Sequence, residues 1–158
     1  MGNIEILKRG DVQLTSAGTG ILHSKKAHEG DEVHFLRIWS LSATARLQPK
    51  YFTHRFTNEE KADEWAKIVA PVLADGVKNT REGEGPPPEQ TALTLYALIL
   101  GTGEALSKPL EGKKAYMHVI QALGHHERQA TGASVKFSAK GGDEVESRER
   151  DGAYVDVM

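Results

Sequence analysis

The stretch GDVQLTSAGTGILHSKKAHEGDEVHFLRIW, residues Gly10–Trp39, decides the fold. It begins with a short alternating run, Val12–Thr15, which is typical of a half-buried β-strand. The glycines of Ser16–Gly20 let the backbone turn where a side chain would clash. His23 follows the turn, and a second apolar strand is predicted over Val33–Trp39. The pattern predicts a strand–turn corner that aims His23 into a barrel, as a metal ligand or as a base.

Further short strands are predicted on both sides of this stretch. They cover Ile4–Lys8, Lys50–Phe56, Leu93–Leu100, Ala115–Leu123, Val135–Ser138 and Ala153–Val157. Many short strands joined by glycine-rich turns favour sheet-on-sheet packing or a closed barrel. The predicted fold class is therefore mainly all-β.

The middle of the chain breaks the strand pattern. A capping box, Thr57-Asn58-Glu59-Glu60, precedes apolar residues at helical spacing, which predicts a helix over Asn58–Val69. The following stretch, Lys78–Gln90, is polar and contains three consecutive prolines. Because proline fits neither a helix interior nor a central strand, this stretch is predicted to be a linker or a long surface loop.

Composition limits the classes of function. The 158 residues include 20 basic and 22 acidic side chains, so the net charge of -2 gives no general attraction to nucleic acid. Charges of both signs alternate over Glu144–Asp151, which predicts solvated surface. The chain has no cysteine, which excludes disulfides and cysteine-ligated metals. Its longest apolar run, Ala92–Leu100, is about half of what a membrane span needs. We therefore expect an intracellular protein without a membrane segment.

Several segments together carry a family resemblance. They are Gly10-Asp11-Val12-Gln13, Ser16–Ile21 with His23-Ser24, Val33–Trp39, Pro49-Lys50-Tyr51 with Arg55-Phe56, Leu95-Tyr96, Ala115–Gln121 and Asp151–Val155. This combination resembles the pirin family, a branch of the cupin superfamily, and it covers most of Gly10–Val157. The resemblance implies a bicupin, which has two jelly-roll β-barrels in one chain. Segment 1–56 would then be a remnant of the N-terminal cupin barrel, 57–90 would hold the helix and the proline-rich linker, and 91–158 would be the C-terminal cupin-like half.

The resemblance also implies a metal site with a degraded motif. Pirins bind iron or another divalent metal through two histidines of an early His-x-His motif and through the histidine and glutamate of a His-Ser-Glu motif. No histidine precedes Gly10, and the second motif reads His23-Ser24-Lys25. A protonated lysine repels a divalent cation. We therefore expect an N-terminally truncated relative in which His23 is the surviving ligand, with Fe(II), another divalent metal or no cofactor bound.

Three residues are candidates for a site. His23 is predicted to be a metal ligand or an acid–base group, or else a histidine held by a hydrogen bond. Lys25 could act as a base or carbonyl nucleophile or hold an anionic ligand, and the alternative is solvated surface. His34 could line the barrel and form a regrouped site with His23 and with His54 or His118, or it could be a hydrogen-bonded barrel residue.

Partners follow from the aromatic residues and from the predicted sheet edge. Phe35, Trp39 and Tyr51 could form a pocket for a small flat aromatic ligand, or could be core residues. Missing strands would leave an edge near Ile4–Lys8 open, which favours a protein partner or a homodimer. The charge balance argues against direct binding of nucleic acid.

Three functions fit these observations. The first is a non-catalytic binding or regulatory module, since some pirins are nuclear co-regulators, and it implies a cytoplasmic or nuclear location. The alternative is a metal-dependent quercetin dioxygenase-like oxidoreductase, completed by missing sequence or by a partner chain. The second alternative is a metal-independent isomerase or cyclase that uses His23, Lys25 and His34.

Overall fold

A computed structural model describes residues 4–28, 30, 33, 35–110, 114–120, 132–138, 144–148 and 151–156. The chain forms two units, Met1–Ser107 and Lys108–Met158. The predicted segment boundaries after residues 56 and 90 both fall inside the first unit. The assignment of segments 1–56 and 91–158 to cupin barrels stays a prediction.

The first unit contains a three-stranded sheet built around an alternating strand. Strand β1 (Asp11–Ser16) pairs antiparallel with β2 (Lys50–Arg55), and β4 (Glu82–Gly83) adds parallel to the other edge of β2. Alternation along β2 directs Phe52 and His54 to the same face, and both side chains are buried. The strands predicted over Val12–Thr15 and Lys50–Phe56 are confirmed.

A second three-stranded sheet completes the core of this unit. Strand β3 (Ala66–Pro71) lies between β5 (Pro88–Glu89), which is parallel to it, and β6 (Leu95–Ala97), which is antiparallel. Strand β6 confirms the centre of the strand predicted over Leu93–Leu100. Val69 and Ala70 of β3 are buried and form the core with Phe52 and Phe56.

The predicted helix over Asn58–Val69 is wrong. The capping box does form, because Glu60 Oε2 accepts the Thr57 backbone N–H at 2.6 Å and Thr57 Oγ1 accepts that of Glu60 at 3.3 Å. It caps only one 3₁₀ turn, Glu59–Lys61, before β3 begins at Ala66. The segment rich in Ile and Val instead gains strand partners on both sides, so tertiary pairing overrides the local helix signal.

The stretch Lys78–Gln90 is not a free linker. It supplies β4 to the first sheet and β5 to the second, and Pro87 and Pro88 are fully buried. Proline lacks an N–H but still offers a carbonyl, and Ala70 donates its N–H to the carbonyl of Pro87 at 3.4 Å. The prediction overlooked that a proline-rich segment can join a sheet edge, where its carbonyls can accept hydrogen bonds although proline has no N–H.

Two other predicted strands are absent from the described residues. Ile4–Lys8 and the described part of Val33–Trp39 have no regular secondary structure. Ile4–Lys8 is instead held by a side chain, because Glu5 binds residues of β2. His34 lies outside the described residues.

The second unit contains two antiparallel strand pairs. Strand β7 (Lys114–His118) pairs with β10 (Gly152–Asp156), and β8 (Ser134–Ser138) pairs with β9 (Glu144–Arg148). Tyr116 and Tyr154 are cross-strand partners whose ring centroids are 4.7 Å apart. Within the described residues, the predictions over Val135–Ser138 and Ala153–Val157 are confirmed, and the prediction over Ala115–Leu123 is confirmed for Ala115–His118, since residues 119–120 belong to no strand.

The prediction of solvated surface over Glu144–Asp151 holds for the described residues except Ser147, and the stretch also forms strand β9, which was not predicted. Lys136 Nζ of the neighbouring strand lies 3.9 Å from the Glu144 carboxylate. Ser147 is buried between exposed neighbours. The charge pattern described the outer surface correctly but obscured the strand.

The predicted all-β class is confirmed. The described residues contain ten strands and no α-helix, which is consistent with a cupin-like β-sandwich. Within that part of the chain, no helix has the length and apolar character needed to cross a membrane.

Candidate functional site

A glycine turn places the residues of the candidate site. Gly18 has a φ of 54°, and a β-carbon there would overlap the carbonyl oxygen of Leu47. That same carbonyl accepts the backbone N–H of Thr19 at 2.9 Å. Gly20 has a φ of 132° in open space. The prediction that a side chain would clash is thus confirmed at Gly18, and the turn leads directly to His23.

His23 is exposed, and the predicted orientation into a barrel is not found. The Arg37 guanidinium lies against its ring, with Nη2 3.2 Å from Nε2. Arginine has only donors, so Nε2 of His23 must be the acceptor of this bond. The neutral ring then carries its proton on Nδ1. The lone pair that could bind a metal is therefore already engaged.

The contact between His23 and Arg37 is extended by a second cation, Lys25, and by two aromatic rings, those of Phe35 and Trp39. We call these five residues the cation–aromatic ladder. Lys25 Nζ lies 5.0 Å from the Phe35 ring centroid, and Arg37 Cζ lies 5.3 Å from that of Trp39. Both distances are within the range of cation–π attraction. Desolvation, and then the charge of Arg37, hold the pKa of Lys25 below its ordinary value.

Arg37 is the member of the ladder that sequence reasoning missed. It was recognised only as part of a predicted strand. The available signal was the alternation Phe35-Arg37-Trp39, which repeats the two-residue spacing of side chains on one side of a straight segment. The contact with His23 spans 14 residues of sequence and could not be read from that spacing.

The surroundings of His23 do not fit a divalent metal. Two cationic side chains, Lys25 and Arg37, accompany the imidazole, and like charges repel. Among the described residues, no group of three or more His, Cys, Asp or Glu side chains could hold a metal ion. The chemistry that this arrangement favours is binding of an anion.

The other histidines do not complete a site around His23 within the described residues. Both ring nitrogens of the fully buried His54 are engaged, Nδ1 at 2.7 Å from Gly85 O and Nε2 at 2.8 Å from Thr80 O. His54 therefore has no nitrogen available for a metal. His118 lies on β7 in the second unit. The roles of His23, Lys25 and His34 as site residues stay predictions.

Tyr51 takes part in a separate polar network rather than in an aromatic pocket. Its hydroxyl donates to Glu5 Oε2 at 2.7 Å, Thr53 Oγ1 donates to the same oxygen at 2.8 Å, and Arg81 binds the other carboxylate oxygen. The bond from Tyr51 is the largest cause that lowers the pKa of Glu5. Burial raises the pKa of Tyr51. The network ties the N-terminal segment to β2.

An open cleft of about 420 Å³ lies beside this network. Its carboxylates already have partners: Asp11 accepts the backbone N–H of Lys8 at 2.7 Å and lies 3.7 Å from Arg55, while Glu5 is bound as described above. Glu82, which also lines the cleft, is exposed and lies 3.9 Å from Arg81, so Glu5, Asp11 and Glu82 all have cationic partners or hydrogen bonds, and the ladder remains the stronger candidate site.

Comparison with known proteins shows similarity to proteins named quercetin 2,3-dioxygenase. A provisionally named one from Zymomonas mobilis is 27% identical over 124 residues, covering 78% of this chain and 49% of that protein. Another from Pseudomonas aeruginosa is 29% identical over 118 residues, covering 74% and 47%. The Escherichia coli K12 quercetin 2,3-dioxygenase is 39% identical over 57 residues, covering 35% and 25%.

The chain thus spans about half the length of the first two of these relatives. No protein-family profile matches the chain. No solved structure matches it either. The comparisons support a relationship to quercetin 2,3-dioxygenase-named proteins at modest identity.

Proposed function

We propose that this chain is a pirin-like cupin protein that acts as a non-catalytic binding or regulatory module in the cytoplasm or nucleus. The observation that carries the proposal is the 3.2 Å contact between Arg37 and the Nε2 atom of His23. The guanidinium contacts a ring nitrogen of the histidine that the resemblance implies to be a metal ligand. Lys25, in place of the implied glutamate, adds a second positive charge.

The chemistry of the ladder supports recognition of an anionic partner. Arg37 can bind a carboxylate through two parallel hydrogen bonds, and Lys25 adds a point charge. The adjacent rings of Phe35 and Trp39 are more than half exposed and offer an apolar surface. Such a surface suits a protein or ligand group with acidic and apolar parts.

The metal content of the purified full chain tests this proposal. Wild type and the His23→Ala variant are incubated with Fe(II), Ni(II) or Zn(II), desalted and measured by elemental mass spectrometry. We expect no stoichiometric metal in either protein. The Arg37→Gln variant is the matched comparison, because it frees Nε2 of His23. Stoichiometric metal in wild type that disappears in His23→Ala would contradict the proposal.

A second candidate is favoured by the names of the relatives. In it, the chain belongs to a quercetin 2,3-dioxygenase-like oxidoreductase whose metal site is completed by further sequence or by a partner chain. The described residues alone do not fit the metal, so no reaction step is assigned to them. Oxygen uptake with quercetin, measured on metal-treated protein and on His23→Ala, distinguishes this candidate, since only an assembled site gives uptake that depends on His23.

A further inference from the structure

The segment that carries the ladder exposes an unusual amount of apolar surface. Over residues 35–41, Trp39 is 80% exposed and Leu41 is 94% exposed. The other large apolar side chains of the segment, Phe35, Leu36 and Ile38, are at least half exposed. Contiguous apolar patches are uncommon on soluble proteins and mark interaction sites.

The backbone of this segment is also unpartnered. Residues 35–41 belong to no strand or helix, and among the described residues their N–H and C=O groups make no backbone–backbone hydrogen bond. The segment ends at a polar turn in which Ser42 Oγ accepts the backbone N–H of Thr44 at 3.1 Å. Free main-chain groups beside apolar side chains are what an added strand requires.

Charge determines which occupant fits. Lys25 and Arg37 lie over the rings of Phe35 and Trp39, and no described carboxylate lies within ion-pair distance of either cation. Two copies of the segment placed face to face would bring these cations together. An acidic occupant would instead neutralise them.

We infer that residues 35–41, together with Lys25, form the docking site for an extended segment of a partner protein in which every second residue is in turn acidic and apolar, so that one face of that segment carries both kinds of side chain. The main chain of that segment pairs with the backbone groups of 35–41, which have no backbone partner among the residues that the structure describes. Its carboxylates bind Lys25 and Arg37, and its apolar side chains cover Phe35 and Trp39. This inference rests on the proposed binding function and names the chemistry of the partner.

Fluorescence anisotropy with a synthetic probe tests the inference. The probe is a short fluorescein-labelled peptide with the repeat Glu-Ser-Val-Ser, which places Glu and Val on the same face of a strand, and the comparison is a peptide with the repeat Lys-Ser-Val-Ser. We expect the acidic peptide to bind the full chain more than about tenfold more tightly than the basic one, with affinity falling as salt is added. Binding should quench the fluorescence of Trp39 in a Trp65→Phe background.

Matched variants separate the apolar and charged contributions. Trp39→Ala should weaken binding of the acidic peptide at least about tenfold, as expected for an aromatic anchor. Leu73→Ala also removes a highly exposed apolar side chain, but outside the segment, and should leave the affinity for the peptide unchanged. Lys25→Gln should weaken binding about threefold, whereas Lys26→Gln, its exposed neighbour, should have no effect. Circular dichroism checks that each variant keeps its β-sheet content.

Three results would overturn the inference. The first two are equal binding of the two peptides and no binding of either. The third is self-association of the protein, seen by light scattering and abolished by Trp39→Ala, which would mean that a second copy of the chain occupies the docking site. The metal measurement is independent of all three. If the protein binds neither metal nor the acidic peptide, this docking site is refuted, but the proposed non-catalytic function is not.

Discussion

The two hydrogen bonds of His54 lead to the sharpest prediction. His54 is fully buried, and its ring nitrogens contact the carbonyl oxygens of Gly85 and Thr80, which flank β4. Carbonyls only accept, so a neutral imidazole can satisfy one of them and a protonated ring satisfies both. The substitution His54→Phe keeps an aromatic ring of similar shape but removes every donor.

The size of the effect follows from the number of carbonyls that lose their donor. A buried acceptor left without a partner costs about 1–3 kcal/mol. Thr80 is exposed, so water can reach its carbonyl, whereas Gly85 is half-buried. We therefore expect His54→Phe to lower the free energy of unfolding by about 1–3 kcal/mol. Against a typical total of about 5–15 kcal/mol, this is a large loss.

Urea unfolding and limited trypsin digestion measure the two consequences separately. Tryptophan fluorescence reports the free energy of unfolding. Trypsin reports release of the turn, because Lys78 and Arg81 lie in the segment that His54 holds. His54→Gln retains an amide donor and should lose about half as much stability. His23→Phe, at an exposed histidine, should change stability by less than about 0.5 kcal/mol.

The reasoning would be refuted by a His54→Phe variant with wild-type stability and no faster cleavage at Lys78 or Arg81. A larger loss in His54→Gln than in His54→Phe would also contradict it. That result would show that ring packing, such as the edge-on contact with Phe52 at 6.2 Å, matters more than the donor.

Three further predictions concern residues of the first unit. The hydrogen bond from Tyr51 lowers the pKa of Glu5 in the folded protein. The stability that Glu5 contributes is therefore present above the pKa of the unfolded chain, near 4.5, and is lost as the pH falls through the lower folded pKa. Urea unfolding at several pH values should show a smaller acid-induced loss of stability in Glu5→Gln than in wild type. Gly18→Ala should destabilise by more than about 1 kcal/mol in the same assay, because the new methyl group meets Leu47 O, whereas Gly103→Ala, at a similar positive φ in open space, should lose less. Desolvation lowers the pKa of the buried Lys61. Burial of the charged side chain therefore disfavours folding at neutral pH, and this destabilisation disappears as the pH rises through the folded pKa. Lys61→Met should unfold at an equal or higher urea concentration than wild type, and a clear loss of stability would contradict this.

The strands that could be predicted from sequence are those with a local signal. The alternation along β2 and β8 matches their burial, because every second residue is less exposed than its neighbours, whereas all residues of β1 are half-buried. The capping box of Thr57 and Glu60 was a real signal, but it specifies where a helical turn begins and not how far it continues. Its extent was decided by the strand partners of β3, which lie far away in sequence.

The candidate site was less predictable because its decisive contacts are long-range. His23 and Lys25 were identified from a motif, yet Arg37 determines what the His23 ring can bind. Likewise, the burial of His54 depends on carbonyls at Thr80 and Gly85, which no residue pattern near His54 reveals. Polar contacts across many residues become visible only when the folded backbone is known.

The stretch Lys78–Gln90, which serves both sheets, has a consequence for synthesis on the ribosome. Strand β2 is complete at Arg55, but its parallel neighbour β4 begins only at Glu82, and β3 waits for β5 and β6. Neither sheet can close until most of the first unit has left the exit tunnel. During this delay the apolar segment 35–41 has already left the ribosome and is exposed to solvent. We therefore expect the nascent chain to need a chaperone that covers this segment before a binding partner can do so.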